Sequence, residues 1–112
     1  MINARRGFLA AAVLLWAGFV HAAGDPVQGR IKASTCMGCH GIPGYTTMYP
    51  DYRVPKLGGQ NAQYIVSALQ EYKSHARTHP TMDAQAATLS DQDMEDIAAW
   101  LSTAPHSAEE LQ

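Results

Sequence analysis

The chain has 112 residues, a formal net charge of −2 and 46% hydrophobic residues, enough for one small domain with its own core rather than several domains. Eight basic residues against ten acidic ones leave no basic surface for nucleic acid and no polybasic membrane patch. The cysteine count is two, which excludes a structural zinc site of the cysteine type, since that takes four ligands, usually from two pairs.

Residues 1–22 read as an export signal. Arg5 and Arg6 precede an apolar run over residues 8–20, and Val20-His21-Ala22 places small residues where signal peptidase needs them, so cleavage is expected after Ala22. The run is shorter than the about 20 residues of a membrane span, so the processed chain is expected to carry no stable membrane insertion and to be periplasmic. Arg5-Arg6-Gly7-Phe8-Leu9 also resembles a twin-arginine signal, which exports proteins already folded. Without residues 1–22, six basic residues face ten acidic ones, a formal charge of −4 on one domain over residues 23–112.

Asp25-Pro26 starts a helix, with the acid as N-cap and proline at the first helical position. This helix should run to about Thr35 and deliver Cys36. Cys36-Met37-Gly38-Cys39-His40 follows, two cysteines separated by two residues and followed at once by histidine, the attachment geometry for covalent haem. The two thiols form thioethers with the two vinyl groups of one porphyrin, and His40 then sits under the iron as proximal ligand. Attachment outside the cytoplasm needs both thiols reduced and accessible in an unfolded chain, which favours threaded export over the twin-arginine route. A thioredoxin-like pair would stand at the strand-to-helix junction of a βαβ unit, and no strand pattern precedes Cys36. A domain of this size has a thin core by itself, which a buried porphyrin enlarges; the protein without haem is expected to be unfolded or molten.

Residues 41–60 hold five glycines and prolines before Leu57, three tyrosines, and neither a helical nor an alternating period, and read as loop. From Asn61 the pattern changes: Ile65, Ala68, Leu69 and Tyr72 form the apolar stripe of an amphipathic helix ending near Ser74. Residues 75–89 read as a loop around Pro80 with one short helix over residues 83–88. Ser90 is an N-cap with Asp91 and Asp93 in the first turn of the last helix, and Met94, Ile97, Ala98 and Leu101 form its stripe, ending before Pro105. The tail over residues 106–112 is short and polar, and is expected to fray. With one motif and no repeat, the expectation is an all-α, mono-haem domain of three to four helices.

Taken with the order of these segments, the chain resembles a class I bacterial cytochrome c, and in particular one half of the di-haem cytochromes of that class or a small free-standing relative. The resemblance rests on Gly24-Asp25 through Gly29, Cys36 to Gly41, Pro55-Lys56-Leu57-Gly58-Gly59-Gln60 with Tyr64, Met82, Leu89-Ser90-Asp91 and Ala98-Ala99-Trp100-Leu101. It implies the cytochrome c fold around one covalently attached haem c, with first and last helices crossing tightly at Gly29 under Trp100. It also implies a proline carbonyl accepting a hydrogen bond from His40, for which Pro43, Pro50 and Pro55 all qualify. The aromatic stretch over residues 42–53 departs from the short polar loop of the family.

The resemblance makes Met82 the second axial ligand. His79, in the same segment, is the rival, since imidazole is the stronger base for ferric iron; Met94 reads as packing, Met37 and Met48 are poorly placed, and His75 and His106 read as solvated. Arg53, Lys56, Tyr52 and Tyr64 are candidates to hold the haem propionates. The implied activity is electron transfer rather than catalysis, with His40 and Met82 on the iron: a periplasmic one-electron shuttle between a respiratory donor and a terminal acceptor, monomeric. The alternatives are a cytochrome subunit of an exported dehydrogenase or oxidase, and a gas-binding or peroxidase-like haem protein with a weak or missing sixth ligand.

Overall fold

In the computed structural model, which describes residues 23–48 and 51–104, the first helix begins where Asp25 and Pro26 place it. The expected leader over residues 1–22 and the tail over residues 106–112 lie outside the described residues. Asp25 Oδ1 accepts from the backbone N–H groups of Val27 at 2.8 Å and Gln28 at 3.4 Å, and Pro26 opens α1 (Pro26–Lys32), where its missing N–H is no loss. The helix does not run to Thr35. It breaks at Ala33, where ψ rises to 3° and the side chain is fully buried, and the chain resumes as α2 (Ser34–His40). The cysteine motif therefore lies on a helix of its own, re-aimed relative to α1.

Residues 41–60 are not all loop. Thr46–Met48 (β1) and Asp51–Arg53 (β2) pair antiparallel, with Thr46 opposite Arg53, Thr47 opposite Tyr52 and Met48 opposite Asp51. Each strand has three residues and neither presents a buried face, so no alternation of polarity marks them in the sequence. The Val54 N–H extends the closure to the Tyr45 carbonyl at 2.9 Å.

Asn61 caps α3 (Ala62–Lys73), its Oδ1 accepting from the Tyr64 N–H at 3.0 Å. The next helix, α4 (Pro80–Ala87), begins at Pro80 rather than at Asp83, because proline at the first helical position starts a helix instead of interrupting one. Asp83 Oδ1 accepts from the His79 N–H at 3.1 Å and fixes that start. The last helix, α5 (Asp91–Leu101), opens on a reciprocal capping box between Ser90 and Asp93. Ile65, Val66 and Leu69 of α3 and Met94, Ile97, Ala98 and Leu101 of α5 form the core with Ala33. Among the described residues the fold is mostly helical, as expected, with five helical segments rather than three or four and a small hairpin.

The α1–α5 crossing is backbone against backbone. A Cβ on Gly29 would lie 1.9 Å from the Asp96 carbonyl oxygen and 2.9 Å from Trp100 Cβ, and one on Gly24 would lie 2.0 Å from the Glu95 carbonyl oxygen. Only glycine permits this approach. The expected Gly29–Trp100 contact is present, with the Asp96 backbone closer still. Asp96 is only 3% exposed, yet its carboxylate accepts from the Asp25 N–H at 2.8 Å, Gln92 Nε2 at 2.8 Å and Lys32 Nζ at 2.5 Å. Lys32 also meets Asp93 at 2.7 Å. The Lys32 ammonium holds both carboxyls well below the usual carboxylate range, and Asp93 and Asp96 raise Lys32 in return.

Gly29→Val should overpack the crossing and cost about 1 to 3 kcal/mol in thermal unfolding of the holoprotein. The lowered carboxyls contribute stability that is complete above the unfolded value of about 4 and is lost as pH falls through their folded values; the Lys32 contribution is complete below about 10.4 and is lost as pH rises through its raised value. Asp96→Asn should therefore lower Tm at neutral pH, with the gap to the parent narrowing in strong acid. A gap independent of pH would remove the carboxylate's charge from the explanation.

Candidate functional site

On α2, Cys36, Cys39 and His40 stand at i, i+3 and i+4 and so share one helical face. Both cysteines are free and half-buried. Cys36 packs on the hydrophobic core together with Met37, and burial pushes the Cys36 thiol up. His40 Nδ1 lies 2.6 Å from the Pro55 carbonyl oxygen. A carbonyl only accepts, which assigns the proton to Nδ1 and leaves the Nε2 lone pair for a metal. Among the expected prolines, Pro55 is thus the acceptor; Pro50 lies outside the described residues.

Two ties hold Pro55 in place. The β1–β2 hairpin and the Val54–Tyr45 bond fix the chain before it, and the Gly59 N–H donates to the Leu101 carbonyl at 2.9 Å, fixing the chain after it to the end of α5. An open cleft of about 480 Å³ beside it is lined by Gly44, Arg53, Val54, Pro55 and Lys56, bringing together two of the expected anion-holding side chains. The other two are elsewhere: the Tyr64 hydroxyl accepts from the Arg77 guanidinium at 3.5 Å, and the Tyr52 ring lies against His79, centroids 5.0 Å apart.

Met82 is half-buried in the first turn of α4 and borders the same core as Cys36. Met94 is completely buried in that core and Met48 is 97% exposed, while Met37 folds its terminal methyl over Gly41. His75 is exposed, its Nδ1 3.7 Å from Asp83 Oδ2; His106 lies outside the described residues. What the sequence hid about His79, the rival ligand, is its place at the head of a helix. It caps α4, and its Nδ1 is buried without a hydrogen-bond partner. Pro80 was the available signal, since a proline at the first helical position puts the preceding residue at the cap.

Among the described residues, no group of three or more His, Cys, Asp or Glu side chains converges to hold a bare metal ion, and no helix is long and apolar enough to cross a membrane. The donor set instead suits a porphyrin: two unbridged thiols on one helix face, an imidazole with Nδ1 engaged and Nε2 free, a thioether on the same core, and a buried polar atom still to be satisfied. Those are the features of a c-type cytochrome. The chain belongs to the cytochrome c family, whose model matches residues 29–105, and its cofactor is covalently bound haem c with its iron.

The relatives divide by length. Cytochrome c4 of Pseudomonas aeruginosa is 40% identical over 86 residues, covering 77% of this chain but 41% of that protein. Cytochrome c-554(548) of Halomonas halodenitrificans is 39% identical over 84 residues, covering 72% of this chain and 98% of its own length. The thiosulfate dehydrogenase electron acceptor of Stutzerimonas stutzeri is 36% identical over 73 residues, 65% of this chain and 33% of that protein. The chain thus spans about two fifths of the cytochrome c4 relative, in keeping with a resemblance to one half of it.

Proposed function

We propose that the protein is a periplasmic one-electron carrier in which Cys36 and Cys39 hold the haem through thioethers and His40 and Met82 are the axial ligands of its iron. The observation that carries this reading is the alignment of Cys36, Cys39 and His40 on α2 with His40 Nδ1 bound to the Pro55 carbonyl. When bound, the haem supplies an iron that alternates between ferric and ferrous states. The protein's own work is to keep the ligands still. Pro55 fixes the rotation and tautomer of the imidazole and raises its basicity. Met82, from the first turn of α4, offers a soft thioether that favours ferrous iron and raises the potential relative to two histidines. Cys36, Met37, Leu57, Met82, Leu89 and Trp100 extend the core around the site, which limits water near the iron.

A second reading has a specific support. Similarity to a thiosulfate dehydrogenase electron acceptor favours a partner or subunit of an exported dehydrogenase, using the same iron. Purification from the native source separates the two: a free carrier elutes alone as a small monomer, and a subunit elutes with its dehydrogenase.

Covalent attachment should appear as one haem-staining band on denaturing electrophoresis, with an intact mass equal to the chain from Ala23 plus one haem. Replacing Cys36 or Cys39 should greatly reduce holoprotein, and extraction of the haem into acidified organic solvent would sink the assignment. For Met82, the oxidised protein should carry the weak near-infrared sulfur-to-iron charge-transfer band. Met82→Ala should abolish that band, open the iron to carbon monoxide and lower the potential, whereas Met82→His should stay six-coordinate at a lower potential. A band that survives Met82→Ala would move the ligand to another methionine.

A further inference from the structure

We infer that His79 donates a hydrogen bond from Nδ1 to a haem propionate, and that this pair makes the reduction potential depend on pH. The inference rests on the haem ligation proposed above. Its starting point is the buried Nδ1 of His79, which has no partner among the described residues; buried polar atoms are nearly always paired, so such an atom calls for a further group. The surroundings of the imidazole are already committed. The backbone N–H of His79 donates to Asp83 Oδ1 at 3.1 Å, Asp83 Oδ2 faces His75 Nδ1 at 3.7 Å, and the Tyr52 ring of β2 lies against the imidazole at 5.0 Å, tilted by 60°.

His79 is the N-cap of the helix whose first turn carries Met82, so both residues stand at the same end of α4, where a haem ligated by Met82 would lie. A porphyrin's periphery is apolar except for its two propionates, and a carboxylate is the acceptor that an imidazole N–H pairs with best. The iron is the poorer alternative, because Nδ1 is the ring nitrogen nearest its own backbone. Ligation through it would press the start of α4 against the porphyrin face, while the Tyr52 contact and the cap bond hold the residue where it is.

The linkage follows from charge. An electron on the iron makes the haem more negative by one unit and tightens the hold of the histidine–propionate pair on a proton taken from solvent, with no other bond made or broken. The potential therefore falls as pH rises through the titration of the pair. Among the described residues, Tyr52 and Asp83 contact His79 and His75 faces Asp83, while Arg53 and Lys56 line the cleft by Pro55; of these, His75 is the imidazole that needs its own control.

The test is a spectroelectrochemical titration of holoprotein between about pH 5 and 9, the window in which imidazoles change charge, for the parent, His79→Leu, His79→Gln and His75→Gln, with the near-infrared methionine band recorded for each. The parent and His75→Gln should show a potential that declines with pH. His79→Leu and His79→Gln should lose that slope, and all four should keep the band. An unchanged slope in His79→Leu would overturn the inference, as would a parent potential independent of pH, which would leave Nδ1 to a buried water. Loss of the band in His79→Leu alone would make His79 an iron ligand and overturn it too. Absence of the band in the parent would instead refute Met82 ligation, and the slopes would still decide for or against His79.

Discussion

The approach of α1 to α5 with no side chain between them is the constraint on which the rest of the structure hangs. Gly24 and Gly29 meet the backbone of Glu95 and Asp96 at distances no Cβ would tolerate. The same short segment of α5 supplies the buried carboxylate that binds the Asp25 N–H and Lys32. Close packing and ion pairing therefore fix one geometry twice. From this crossing the chain reaches the site by two routes: α1 passes through buried Ala33 into α2 and the cysteine motif, and the end of α5 holds Gly59, downstream of Pro55. The imidazole and the carbonyl that orients it are thus referred to one frame.

That frame suits a protein whose chemistry is the passage of an electron. On the proposed carrier reading no bond to a substrate forms, and what the chain would contribute is ligand geometry that changes little between oxidation states. A histidine free to rotate would present either nitrogen to the iron; the 2.6 Å contact with Pro55 removes that freedom. A buried ion pair is weak evidence for stability by itself. Here the Asp96 carboxylate also satisfies a backbone donor and a glutamine amide, so its role is better described as specifying one crossing than as strengthening the core.

The helices were legible because their signals are local. Asp25-Pro26 and Ser90 with Asp93 are cap signals whose partners lie within a turn, and the stripes on α3 and α5 repeat at helical spacing. The motif on α2 was equally legible, since its chemistry is written in adjacent residues. What escaped depends on distant partners or on residues with two meanings. Pro80 reads as a breaker until its position at the head of a helix is known. The hairpin has no buried face to imprint alternation on Thr46–Met48 and Asp51–Arg53. Asp96 looks like one more acid on a polar face, because Asp25 and Lys32 are remote in sequence. Three prolines competed for His40 for the same reason: the choice belongs to the hairpin and the Gly59 anchor, neither of which has a local sequence mark.

The two sides of the site are built to different strengths. On the His40 side, α2 continues from the crossing and Pro55 is tied at both ends. On the Met82 side, α4 packs on α3 but buries Ala86 alone among its described residues, with further ties from Lys73 donating to the Leu89 carbonyl, from the Asp83 cap and from the contact of His79 with an exposed hairpin. Segments with few buried apolar contacts are the first to open locally. A methionine–iron bond and a histidine–propionate bond would therefore do on this side what packing does on the other. With Met82 as ligand the haem would close the fold on its weaker side, and loss of that bond would loosen α4 well before it disturbed the crossing of α1 and α5.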